Sequence, residues 1–408
     1  MKKNSKKNLY YFLFDWANSP FSTIVITFVF SSYFTNTVAA NKISGTAYWG
    51  WTIAISGLLV AITSPILGHI ADFKKLFARK FLIISTLVVI ICSFMLWFLE
   101  KDINIFYFLG LILIANIFFE IGQVFYNSQL NNFRGRENLG SFSGKAWASG
   151  YLGGILCLII IFSLVLIPDK SVFNLDYKEY ENIRICGPIV AIWFLIFSIP
   201  FLINCKENNV VKGKMFRKFS LNMGVLRKDK NKIKFFISRM LYTDGLITLF
   251  SFGGIYATGT FDFSFNDIII FGIAINITAA LGAYLFGFIE DIIGIKKVII
   301  ISLGFLILIC FLILIIQSKI FFWILGSMIG LFIGSIQSSS RTALITISKS
   351  KNINTMFGFY AMSGKVTNFL GPFLVATFTT VFESQKAGMA TILIFLILGL
   401  LLLFKTKI

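Results

Sequence analysis

Asp15, Glu120, Asp244 and Lys365 each interrupt a long run of Phe, Ile, Leu and other apolar residues. A charge in hydrocarbon costs at least a few kcal/mol unless it faces a partner or a watery cavity. Carboxylates kept in such places are suited to carrying a proton or another ion. Neutral hydrogen-bonding residues accompany them: Asn18 and Ser19 follow Asp15, and Asn116, Gln123 and Asn127 flank Glu120. The intervals 116–120–123–127 run 4, 3, 4, which projects all four side chains from one helical face. Gln337 and Arg341 stand with Ser335, Ser338 and Ser339 in a further polar cluster. Two readings of Lys365 stay open. It pairs with Glu120 across the molecule, or it reaches the membrane surface while Glu120 holds a proton.

The elements that must position these residues are transmembrane helices. A hydrophobic fraction of 57%, 13% charged residues and a mean hydropathy of +0.84 lie outside the soluble globular range. A crossing needs about 20 apolar residues. Twelve such runs are predicted, at 10–39, 46–68, 80–99, 104–130, 145–167, 185–203, 235–257, 267–289, 297–316, 320–345, 357–382 and 387–404. They leave no room for a separate soluble domain. Lys and Arg concentrate in alternate connections if both termini are cytoplasmic. The net charge of +19 is then a matter of topology and calls for no nucleic-acid partner. The expected location is a cell (inner) membrane, with lipid as the surroundings. The first apolar segment is too long for a signal peptide and is expected to stay as the first span. Cys92, Cys157, Cys186, Cys205 and Cys310 are scattered without pairing and read as small core residues.

The stretch "DWANSP" (15–20) poses a question of register. A helix starting at Pro20, with Ser19 as its cap, would be about 30 Å long and would leave Asp15 in the wet interface. But "LYYFLF" (9–14) ahead of the acid is itself apolar, and the last lysine is Lys7. A helix starting near Leu9 places Asp15, Asn18 and Ser19 inside the membrane, and Pro20 then frees a backbone carbonyl and bends the helix.

The chain repeats itself. "GHIAD" (68–72) answers to "GFIED" (287–291) at an offset of 219, and Asp15 to Asp244 at 229. "QVFYNSQL" (123–130) answers to "QSSSRTAL" (337–344) at 214, and Phe142 to Phe357 at 215. Two duplicated six-helix halves are an architecture of secondary transporters. The expected division is a first bundle over 1–203, a basic connection over 204–234 and a second bundle over 235–408. In the connection, Met215, Phe216, Phe219, Met223 and Leu226 fit a short helix on the membrane surface. A disordered basic tether fits the same residues.

Gly68, Asp72, Arg79 and Lys80 resemble the loop signature of the major facilitator superfamily, and Gly287, Asp291, Gly294, Lys296 and Lys297 resemble its echo in the second half. "DWANSPF", "FYNSQL", "SGKAWASGYLGG", "YTDGL", "IQSSSR" and "FGFYAMSGKVTNFLGP" are similar to the Unknown Major Facilitator family, relatives of the autophagy-related vacuolar amino-acid effluxers. The chain departs from the signature in its first copy, where no glycine follows Asp72 and the Arg79–Lys80 pair comes late.

That resemblance implies an all-α membrane protein of twelve transmembrane helices in two pseudo-symmetric bundles. It implies that Asp72 and Asp291 latch the cytoplasmic side, either by facing a helix N-terminus of the other half or by holding loop arginines. It implies a secondary active transporter of a small polar solute, an amino acid in the first instance and outward in direction. Glu120, Asp15 and Asp244 are then candidate proton carriers. A channel or non-transporting sensor on the same fold is the alternative. An enzyme is not expected: the one histidine, His69, lies beside the latch, and the sequence has neither HExxH nor a Walker A loop. No metal or cofactor is expected.

Overall fold

The computed structural model describes residues 2–133, 138–166, 175–205, 229–348 and 352–408. Among these residues every regular element is a helix. In chain order the α-helices of eleven residues or more are α1 Lys2–Pro20, α2 Lys42–Phe73, α3 Phe77–Met95, α4 Ile105–Ser128, α5 Leu139–Ile161, α6 Cys186–Asn204 and α7 Lys230–Phe261. Then follow α8 Phe265–Ile293, α9 Ile295–Ile315, α10 Lys319–Ile347, α11 Ile353–Ser363, α12 Leu370–Val381 and α13 Gln385–Phe404. Ten helical stretches among the described residues are long and apolar enough to cross a bilayer. The two other expected crossings fall on α7 and on the pair α11–α12. α7 is 32 residues long but carries Arg239, Asp244 and several Thr and Gly residues. The eleventh crossing, expected as one helix over 357–382, starts earlier at Ile353 and is interrupted between Ser363 and Leu370.

Physical causes of that interruption are visible. Gly364 follows Ser363, and the turn is closed by bonds from Lys365 N and Val366 N to Met362 O, both 3.0 Å. Arg239 of α7 donates to Tyr360 O and, at 2.7 Å, to Ser363 Oγ. Its guanidinium lies 3.3 Å from the Tyr360 ring centroid. A cation at the carbonyl end of α11 is favoured by the negative end of the helix dipole and occupies the Tyr360 carbonyl, which would otherwise continue the helix.

The first helix answers the question of "DWANSP". α1 runs from Lys2, ahead of Leu9, so Asp15 is inside a helix, and it is 8% exposed. Pro20 has no N–H, which leaves the Trp16 carbonyl without its helical donor. The indole Nε1 of Trp193 supplies one instead, at 3.2 Å. Past Pro20 the backbone widens to π-helical bonding over Phe21–Phe28 and again over Phe34–Val38. Asn18, Ser19 and Thr23 bond back to Phe14, Asp15 and Ser19 carbonyls at 2.8, 2.8 and 3.1 Å, a way of keeping polar groups satisfied where water is scarce.

The chain forms two compact units, Met1–Val60 with Leu76–Tyr126 and Ser149–Glu207, and Ala61–Lys75 with Asn127–Ala148 and Asn208–Ile408. The first is built round stacked aromatic rings: Tyr11 and Phe14 of α1 pack on Tyr126 of α4 with centroids 4.5 and 4.7 Å apart. In the second, Gly282 of α8 and Gly330 and Gly334 of α10 bring two backbones together, the small-residue packing that lipid-embedded helices rely on. All five cysteines are buried. The surface helix expected in the basic connection falls on 206–228, outside the described residues.

Candidate latch and solute-binding residues

The second unit holds both copies of the loop-end motif. Asp72, at the end of α2, is 1% exposed and receives four hydrogen bonds. Asn354 N and Nδ2 donate to Oδ1 at 3.1 and 2.9 Å, and Thr355 N and Oγ1 donate to Oδ2 at 2.9 and 2.5 Å. The donors are the first residues of α11, so the carboxylate meets the positive end of that helix. Gly68 makes the approach possible, because a Cβ there would collide with the Asn354 backbone. Asp291, at the end of α8, does the same for α5, accepting from Gly140 N at 2.7 Å and Ser141 N at 2.9 Å. Gly287 and Gly144 face each other beside it. Of the two roles the sequence left open, both carboxylates take the helix N-terminus. Each charge-assisted bond of this kind contributes about 1.5–3 kcal/mol, not additively.

The basic residues of the signature act elsewhere. Arg79 donates to Ile203 O at 3.0 Å. Lys296 donates to Phe404 O at 2.9 Å and to Thr406 O at 2.7 Å. Both therefore sit at the carbonyl ends of helices, α6 and α13, where a cation is favoured. His69 lies within α2, 3% exposed, its ring 4.7 Å from that of Phe73.

Arg341 is 1% exposed on α10. It donates Nε to Ser143 Oγ at 3.1 Å, a second guanidinium nitrogen to Ser143 O at 3.0 Å, and a third to Asn127 Oδ1 at 3.1 Å. Its guanidinium also lies over the Trp147 ring. Asn127 and Arg341 are equivalent positions of the duplicated stretches, and here they touch. Beside them is Glu290, 3% exposed, whose carboxylate accepts from Ser339 Oγ and Thr342 Oγ1 of α10.

Asp244 is also in this unit, 2% exposed on α7. Lys365 falls in the interruption between α11 and α12, and Gln337 is half-buried on α10. In the first unit, Asn116 donates to Ser56 Oγ at 2.6 Å. Glu120 and Gln123 are half-buried on α4, Asp15 and Ser19 of α1 stand against Gly150 of α5, and Asn18 bonds back to Phe14 O.

Sequence reasoning passed over several participants. Glu290 carried a usable signal, an acid inside an apolar run directly before Asp291. Ser143 and Ser363 are marked by a repeated "SGK" at 143–145 and 363–365. Asn354 and Thr355 carried none, since their role depends on a carboxylate distant in sequence.

The family model described as vacuole effluxer Atg22-like matches residues 136–408. A curated relative, an uncharacterized major-facilitator-type transporter YxiO from Bacillus subtilis, is 24% identical over 99% of this chain and 95% of its own length. Among solved structures, that of the major facilitator transporter FucP in the outward conformation superposes with a TM-score of 0.79 at 11% identity, covering 99% of this chain and 98% of its own. The human organic anion transporter MFSD10 gives 0.73 at 14% identity, covering 98% of both chains. A multi-pass helical membrane protein with two carboxylate-capped helix starts, matched over two thirds of its length by that model, belongs to the Atg22-like vacuole-effluxer family and is a transporter of the major facilitator superfamily, not an enzyme.

Proposed function

We propose that this protein exports a small polar solute, an amino acid in the first instance, by alternating access coupled to a proton or another ion. The observation that carries the reading is the pair of contacts at Asp72 and Asp291. Each joins a loop-end carboxylate of one sequence half to the first turn of a helix from the other. Such contacts close one face firmly yet consist of a few exchangeable hydrogen bonds, which suits a gate that must reopen. Arg341, reaching Ser143 and Asn127, adds a third tie of the same kind. With both termini cytoplasmic, in the inner membrane, the closed face is the cytoplasmic one.

The solute would meet the polar residues of α1, α4, α7 and α10: Asp15, Asn18, Ser19, Asn116, Glu120, Gln123, Asn127, Asp244, Gln337 and Arg341. Efflux as the direction is supported by the family's description. Lys365 and Glu120 are proposed to pair during the cycle. Removing either charge should then impair flux more than removing both, as a double-mutant cycle would register. Reconstitution in proteoliposomes with a panel of amino acids and other small solutes, with and without a pH gradient, tests the whole. Saturable flux and counterflow are expected, lost in Asp72→Asn and Glu120→Gln at normal expression. Non-saturating conductance, or no flux for any solute, would overturn it.

A further inference from the structure

The break between α11 and α12 is furnished with oxygen atoms that have no hydrogen-bond partner among the described residues. Asp244, 2% exposed, ends in an Oδ2 with no hydrogen-bond partner among the described residues. No ion pair among the described residues includes it. The Thr367 hydroxyl stands beside this carboxylate, yet its Oγ1 is buried without a bond of hydrogen-bonding geometry, and so is Asn368 Oδ1. The interruption also leaves the Gly364 and Val366 carbonyls without a backbone donor among the described residues. Gly371 brings the start of α12 directly against Asp244 and Thr248. On the other side of the break, Arg239 is committed to Tyr360 O and Ser363 Oγ.

A carboxylate oxygen buried without a hydrogen bond must be satisfied or its charge neutralised. We infer that Asp244, Thr367, Asn368 and the backbone opened at the α11–α12 break bind one hard monovalent metal cation of the sodium class. The donor set is all oxygen, which excludes a soft metal. It contains a single carboxylate, and no group of three acidic, His or Cys side chains occurs among the described residues, which argues for one charge rather than two. A proton would satisfy one oxygen contact and leave the amide oxygen and the opened carbonyls unpaired. Discontinuous helices whose freed carbonyls coordinate a coupling ion are a recurrent transporter device. This inference rests on the ion-coupled reading above and gives the ion its chemical class and its place.

The test uses purified full-length protein in detergent, at constant ionic strength, with sodium chloride exchanged for choline chloride. Thermal unfolding and equilibrium binding of radioactive sodium are read with no solute added. A saturable sodium-dependent rise in melting temperature is expected, with bound sodium near one per chain. Thr367→Val or Asn368→Ala should weaken the apparent affinity about tenfold, and Asp244→Asn should abolish binding. If Asp244→Asn does not fold, the other two variants decide. Identical melting in sodium and choline overturns the site, and so does sodium binding undiminished in these variants. Stabilisation produced by acid in choline, but not by sodium at pH 8, makes Asp244 a protonation site and overturns it as well. Solute flux indifferent to sodium refutes this site alone, whereas sodium binding without flux for any solute refutes the transporter reading and leaves the site.

Discussion

The two copies of the loop-end motif do the same job with different means. Asp72 binds α11 through four donors, two of them side chains, Asn354 Nδ2 and Thr355 Oγ1. Among the described residues Asp291 binds α5 through two backbone N–H groups. The preceding residue differs as well: Ala71 in the first copy, Glu290 in the second, where the extra acid is tied to Ser339 and Thr342 of α10. Thus the first latch is concentrated in one carboxylate, while the second is shared among Asp291, Glu290 and the Arg341–Ser143–Asn127 set. Duplication kept the contact between carboxylate and helix start and let the supporting bonds diverge.

The largest expected effect follows from that concentration. Asp72→Ala should cost about 3 kcal/mol of stability and Asp291→Ala about 1.5, from the number of charge-assisted bonds lost. Thermal unfolding of the two variants in one detergent checks the order. Equal losses would mean that the helix-end charge, common to both, matters more than the donor count.

A substitution at the glycine of the first copy sharpens the comparison at slightly smaller cost. At Gly68 an added methyl would strike the backbone of Asn354, which cannot swing away as a side-chain tip would. Gly68→Ala should therefore cost about 2 kcal/mol by overpacking and should separate Asp72 from its donors. Gly304 on α9 has nothing within 4 Å of the corresponding position. Gly304→Ala should be neutral or stabilise by up to about 1 kcal/mol through helix propensity. A Gly68→Ala protein with wild-type melting and flux would show that the latch has slack.

A second pair of duplicated corners differs in continuity. Ser19 Oγ donates to Asp15 O at 2.8 Å and Thr248 Oγ1 to Asp244 O at 2.7 Å, each beside a glycine of the facing crossing, Gly150 or Gly371. Yet α5 is unbroken past Gly150, while its counterpart is split just before Gly371. The difference is Arg239, which caps α11. Arg239→Leu should cost about 1–2 kcal/mol and lower hydrogen exchange at residues 364–370, where the freed Tyr360 carbonyl can take its helical donor, with no change across 146–152. Unaltered exchange at the break would assign the interruption to Gly364 alone.

These contrasts also mark how far the sequence could be read. Hydropathy was enough for an all-helical, multi-pass membrane protein, because apolar length is a local property. Asp72 and Asp291 were legible for the same reason, and so was the carbonyl freed by Pro20. The donor that takes it, Trp193, was not, nor were Asn354 and Thr355, because a donor is chosen by tertiary approach. The split at 364–369 stayed hidden because the run around Lys365 is still apolar on average, and the charge that ends α11 comes from another helix. Glu290 was missed because its counterpart is an alanine, so a search for matching pairs passes over it.

The smallest effect is expected at the opposite ends of the helices, where Lys101 and Lys319 occupy corresponding connections. Lys319 Nζ reaches Asp267 Oδ2 at 2.8 Å, and Lys101 Nζ reaches Glu179 Oε1 at 3.1 Å. Asp267 also closes a capping box with Ser264 at the start of α8. The Lys319 bond, followed by those from Ser264, holds the Asp267 carboxyl down at about 2. The bond to Glu179 raises the Lys101 ammonium above its usual value. A lowered carboxyl stabilises the fold above its unfolded value near 3.9 and loses that contribution as pH falls toward about 2. A raised lysine contributes fully below about 10.4 and loses its contribution as pH rises through the raised value. Lys319→Met should therefore depress melting between pH 4 and 9 and leave it unchanged near pH 1.5. Lys101→Met should lose its small effect only at the alkaline extreme. Both pairs are exposed, so each shift should be small and shrink further in 0.5 M salt. An acid limb that is the same in Lys319→Met and wild type would mean that Ser264, not the lysine, sets the Asp267 proton affinity.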